Sequence, residues 1–86
     1  MSLSQAVRDE RNRRKREAFQ RRERDILMVA EQLMSEQGVR QVSVDAIAAR
    51  TDIGKGTIYK HFDSKHEVLV ALAVRHFERL TVVLNQ

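Results

Sequence analysis

The sequence predicts an all-α fold, and three observations carry that expectation. Proline is absent and glycine occurs only at positions 38, 54 and 56, so few residues stop a helix. Apolar side chains return every three or four residues over long stretches, as one face of a helix requires. Ser64, with Glu67 three residues on, forms a capping box, in which two side chains start a helix reciprocally.

In the first helix Phe19 is followed by Ile26, Val29, Ala30, Leu33 and Met34 at the spacings of a helix face. Gly38 supplies a left-handed stop after Gln37. Its start is open: residues 8–22 contain no breaker and either extend the helix or fray from it. Partial helix is favoured, with the residues before Ala18 as a flexible arm. Residues 39–42 form a short connector, and Ser43 is an N-cap for a second helix with Val44, Ile47 and Ala48 inward. That helix holds about two turns before Thr51 and Asp52, which read as a turn because Asp tolerates left-handed geometry.

Ile53 plugs the turn, and a very short third helix follows, closed by Phe62 and Asp63. Only Ile58 and Phe62, one turn apart, can form its buried stripe. Lys55, Thr57, Tyr59, Lys60 and His61 fall around the rest of its circumference, so it presents groups rather than filling a core. The fourth helix runs from Lys65 to at least Val83, carrying Val68, Leu69, Leu72, Phe77 and Leu80. Val70, Ala71, Ala73 and Val74 make its first half apolar nearly all round, more than the preceding helices can cover. The expectation is that an interface or further chain, absent here, completes it.

A chain of 86 residues is one domain at most. At that size roughly 60% of the unfolded surface is buried, which leaves no room for a large ligand cavity. There is no cysteine, hence no disulfide and no thiolate metal site. His61, His66 and His76 lie five and ten residues apart, never three or four, so no helix-face metal pair exists. His61, Asp63 and Ser64 are too close in the chain for a hydrolytic relay. The sequence therefore predicts no catalytic residue, cofactor or metal. With no signal peptide, lipidation motif or apolar run of spanning length, the expected compartment is the cytoplasm.

Charge is unevenly placed. Residues 1–25 hold nine Arg or Lys against five Asp or Glu, and the remainder holds seven of each, which together give the net +4. A surplus confined to one end points to an anionic partner, nucleic acid before membrane, or else to a solvated tail.

Two short helices joined by a tight turn, the second studded with Lys, Thr and Tyr, fit a helix-turn-helix whose second helix enters the DNA major groove. Over residues 26–72 the chain resembles the DNA-binding domain of the TetR family of bacterial transcriptional regulators. The resemblance rests on Ile26, Leu27, Ala30, Leu33 and Met34, on Gly38, and on Ser43 with Ile47 and Ala48. Above all it rests on Gly56-Thr57-Ile58-Tyr59-Lys60-His61-Phe62 followed by Ser64, Lys65 and Leu69.

The resemblance implies that Lys55, Gly56, Thr57, Tyr59, Lys60 and His61 line the groove-facing side, with Lys65 and Ser43 on flanking phosphates. Residue chemistry agrees for several. Gly56 permits close backbone approach, and Lys55 and Lys60 can neutralise phosphates or reach guanine acceptors. Tyr59 can offer its hydroxyl to a phosphate, or be a core tyrosine with a wet hydroxyl. Lys65, a cation in a first helical turn, opposes the helix dipole, so it is either a phosphate ligand or a solvated surface lysine. His61 either bonds a phosphate or covers Phe62. Arg22 and Arg24 are the best phosphate candidates of the basic segment, which in such regulators often grips the backbone or minor groove. Two positions depart from the pattern: Asp52 stands where glycine is usual, and Gly54 replaces a hydroxyl-bearing cap, losing its side-chain phosphate contact.

The expected layout is thus a basic arm or helix extension over residues 1–20, a three-helix helix-turn-helix DNA-binding domain over 21–65, and a long fourth helix from 66. That helix would lead to an absent C-terminal helical domain for dimerisation and effector binding. The expected function is that of a ligand-responsive repressor, nucleoid-associated in the bacterial cytoplasm, reading double-stranded DNA at a pseudo-palindromic operator as a homodimer. The rival is a helical protein-interaction or RNA-binding module with one basic end and an apolar fourth helix for docking. It leaves unexplained why the Lys55 to His61 helix is so short and polar with its two apolar anchors in register.

Overall fold

A serine starts the first helix, and the chain then runs helical through the whole basic segment. The computed structural model describes residues 2–85, in which the helices are α1 (Leu3–Gln37), α2 (Val44–Arg50), α3 (Lys55–His61) and α4 (Lys65–Leu84). The described residues include no strand, in agreement with the all-α expectation.

The Ser2 hydroxyl caps α1 by accepting from the Gln5 N–H at 3.1 Å. Residues 3–17 are exposed except half-buried Glu10, yet they are helical throughout, where the sequence reading favoured partial helix with a flexible arm. No breaker interrupts them, and pairs one turn apart brace the rod: Arg13 bonds Glu10 and Glu17, and Arg14 bonds Glu10 at 3.1 Å. Hydrogen bonding from Arg13 holds the Glu10 carboxyl below the usual carboxylate range.

Gly38 ends α1 with φ 90° and ψ 164°, its N–H donating to Met34 O at 2.9 Å. The positive φ was expected, but ψ is far from the left-handed helical value, placing Gly38 in a region essentially confined to glycine. A 3₁₀ turn, Val39–Gln41, leads into Val42, which is wholly buried. Ser43 caps α2 by accepting from Ala46 N–H at 3.0 Å.

The turn between α2 and α3 corrects the sequence reading. No residue other than glycine has positive φ among those described, so Asp52 adopts no left-handed geometry. Thr51 organises the turn instead. Its hydroxyl donates to Ile47 O at 3.0 Å and accepts from Ile53 N–H at 3.2 Å, a hydroxyl-built turn. At the start of α4 the Ser64 hydroxyl accepts from Glu67 N–H at 3.4 Å. The Glu67 carboxylate, however, accepts from Asp63 N–H at 2.6 Å, so the reciprocal arm of the capping box has moved one residue outward.

The five wholly buried large side chains are Ile26, Val42, Ile47, Ile58 and Val68. They come one each from α1, the connector, α2, α3 and α4, so one core joins every element. Ion pairs brace its edge, Glu36 with Arg50 at 2.7 Å and Glu31 with Arg79 at 3.2 Å. Hydrogen bonding from Arg50 lowers the Glu36 pKa. Only Val68 and Leu72 of α4 are buried, and Val70, Val74, Phe77 and Leu80 are exposed.

Candidate nucleic-acid interface

The core decides which way α3 faces. Ile58, wholly buried, and Phe62, just past its end, anchor it to the domain, and Ile53 in the turn packs against the same core. Lys55, Gly56, Tyr59 and Lys60 are exposed together on the opposite side, at the i, i+1, i+4 and i+5 positions that share a helix face. Thr57 is half-buried at the edge of that face.

Tyr59 is 49% exposed, so it is not a core tyrosine. Lys55 pairs with Asp45 in the first turn of α2, and the hydrogen bond its ammonium donates to that carboxylate raises the lysine pKa. The cation is thereby held at the junction of α2 and α3, in a contact weak enough for a phosphate to replace. A Cβ built on Gly56 would meet no atom within 4 Å, so packing inside the protein does not require glycine there.

Ser43 spends an acceptor lone pair on its cap, leaving its O–H free to donate. Lys65 is half-buried, and its Nζ donates to Arg40 O at 3.3 Å, which ties α4 to the 3₁₀ turn. That carbonyl offsets the dipole conflict expected for a cation at this place. Arg22 and Arg24 are exposed and make no ion pair among the described residues.

His61 turns away from the outer face. Its side chain is 0% exposed, stacked on Phe19 with ring centroids 3.9 Å apart and planes 21° apart, and its Nδ1 lies 3.4 Å from Glu23 Oε1. Its Nε2 is buried without a partner. The imidazole thus joins α3 to α1, and of the alternatives in the sequence neither describes it: it packs chiefly on Phe19, not over Phe62, whose ring centre is 6.4 Å away. No group of three or more metal-ligating side chains occurs among the described residues.

Two short helices joined by a tight turn, the second anchored by two apolar residues and facing outward with lysines and a tyrosine, make a helix-turn-helix domain. The family described as bacterial regulatory proteins, tetR family, matches residues 26–72, and the chain belongs to that family. The HTH-type transcriptional repressor KstR of Rhodococcus jostii is 38% identical over 63 residues, covering 73% of this chain and 30% of that protein. KstR of Mycolicibacterium smegmatis is 38% identical over 64 residues, 74% of this chain and 31% of that protein. The HTH-type transcriptional activator FasR of the same organism is 32% identical over 61 residues, 71% and 28% respectively. The chain therefore spans about a third of the length of the curated relatives it matches. No solved structure matches it.

Proposed function

We propose that this chain is the DNA-reading head of a transcriptional regulator, with α3 entering the major groove. The observation that carries this reading is α3 itself. It is seven residues long, buries Ile58, and turns Lys55, Gly56, Tyr59 and Lys60 outward on one face. Lysine ammoniums neutralise phosphates and reach guanine O6 and N7, a tyrosine hydroxyl donates to phosphate oxygen, and glycine lets the backbone approach closely. Thr57 reaches a base edge from the rim of the face, and Ser43, Lys65, Arg22 and Arg24 hold flanking phosphates. His61 acts from behind, fixing the angle of α3 against α1 rather than touching DNA.

The relatives named as repressors support repression as the direction of control. On this reading the regulator binds a pseudo-palindromic operator as a homodimer. An effector binds in the helical domain that follows α4 in the family, and movement of α4 changes the spacing of two heads. No helix among the described residues is long and apolar enough to cross a membrane.

Affinity for duplex DNA measured against salt tests the reading. The expected log-log slope is negative by several units, shrinks by about one for Lys60→Ala, and is accompanied by weaker binding for Tyr59→Ala. Unchanged binding in both variants overturns the assignment of α3.

A further inference from the structure

The two helices of the reading head carry little free positive charge. Their Arg and Lys residues are Arg50, Lys55 and Lys60. Arg50 is tied to Glu36 at 2.7 Å and Lys55 to Asp45, so among the described residues only Lys60 is left without an ion pair. Asp52, exposed in the turn between the helices, adds a second carboxylate. Attraction to DNA of any sequence comes from cations that displace counterions from phosphates. A head with two of its three cations cancelled has a weak hold on duplex as such.

The two cancelling pairs differ in kind. Glu36 with Arg50 joins α1 to the end of α2 and braces the fold. Asp45 reaches instead from the first turn of α2 to the first residue of α3, on the outward face. Both of its side chains are mostly exposed, 75% for Asp45 and 58% for Lys55, so the pair adds little to stability in water. Nor does α2 depend on Asp45 to start, because Ser43 already caps it. The effect of this carboxylate therefore falls on what Lys55 can bind.

A carboxylate offers an ammonium what a phosphate offers, anionic oxygens at hydrogen-bond range. Exchanging one for the other brings little gain, and Asp45 then stands bare beside a phosphate that repels it. Guanine is different. Its O6 and N7 are neutral acceptors, and an ammonium has three N–H donors, so Lys55 can hold Asp45 and a guanine edge together. The carboxylate thus penalises a phosphate at this place and leaves a base edge unpenalised. Discrimination built on such a penalty lowers affinity for wrong partners more than for the right one.

Resting on the reading of α3 given above, we propose that Asp45 is a specificity-determining residue. It reserves the Lys55 ammonium for a guanine edge and withholds it from phosphates, which suppresses binding to unselected DNA.

The test measures binding against salt on a duplex selected from random sequences and on a scrambled duplex of equal length. Wild type, Asp45→Asn, Lys55→Gln and the double variant are compared, with thermal melts of each. Asp45→Asn is expected to bind the scrambled duplex about ten-fold more tightly, with a salt slope steeper by about one, as one lysine is released to a phosphate. Affinity for the selected duplex should change far less, so the ratio of the two falls. In the Lys55→Gln background the same substitution should give no such gain. Replacing each G·C pair of the selected duplex by A·T should reveal one position that costs wild type about ten-fold and Asp45→Asn less.

An Asp45→Asn variant that binds scrambled DNA no more tightly than wild type overturns the proposal. So does a gain that persists without Lys55, which would be net charge alone. Weaker binding to both duplexes with a lowered melting temperature overturns it in favour of a structural support for α2. A new preferred base at one position, with preference undiminished, overturns it in favour of Asp45 reading that base itself. Failure to select any site, with Lys60→Ala without effect, overturns the reading of α3 instead.

Discussion

Gly56 occupies the second position of α3, where glycine weakens a helix and where a methyl group would meet nothing within 4 Å. The fold gains nothing from its absence of a side chain. Gly56→Ala should therefore stabilise the isolated protein by about 0.4–1 kcal/mol in thermal melts. If the helix backbone approaches DNA as proposed, the same variant should bind duplex more weakly. Higher melting temperature with unchanged affinity would separate Gly56 from the interface. The anchors Ile58 and Phe62 were legible from spacing alone, because a helix face is a local property. The place of His61 was not, since its partner Glu23 lies 38 positions away and Phe19 farther still. Thr51 was read as part of a turn, but the double use of its hydroxyl depends on how α2 ends.

At the scale of elements, boundaries were the most readable feature, for they rest on single residues with one job. Ser43 and Ser64 cap as their sequence neighbourhoods require, and Gly38 ends α1. The geometry at those boundaries was less readable. Gly38 sits at φ 90° and ψ 164°, not in the left-handed helical region that asparagine tolerates. Gly38→Asn should therefore cost as much as Gly38→Ala, about 1–3 kcal/mol each, through backbone strain rather than a clash. For a domain of this size each kcal/mol lowers the melting temperature by roughly 4–8 °C. Rescue by asparagine alone would place the glycine in an ordinary left-handed cap. The basic segment was ambiguous in sequence because charged residues propagate a helix or an arm equally well. Its ladder of pairs around Glu10 and Arg13 accompanies a continuous helix.

For the molecule as a whole, a single core takes one large wholly buried side chain from each segment. Removing Ile58 should cost about 2–5 kcal/mol, a large part of the stability of a small domain. Ile58→Ala should therefore melt the helices around the core together, with helix signal and DNA binding lost at one midpoint. Survival of binding well past the loss of helix would contradict a shared core. Beyond that core α1 continues as an unbroken helical rod, and Phe19 lies where the rod leaves its support. The residues from Leu3 to Ala18 extend about 24 Å past it at the ordinary helical rise. Phe19 and His61 thus act as a fulcrum. A tilt of about 5° there carries the tip through about 2 Å, a large displacement against the fixed spacing of a hydrogen bond. Small changes of side-chain shape at that pivot would steer the far end of the rod more than changes at the tip itself.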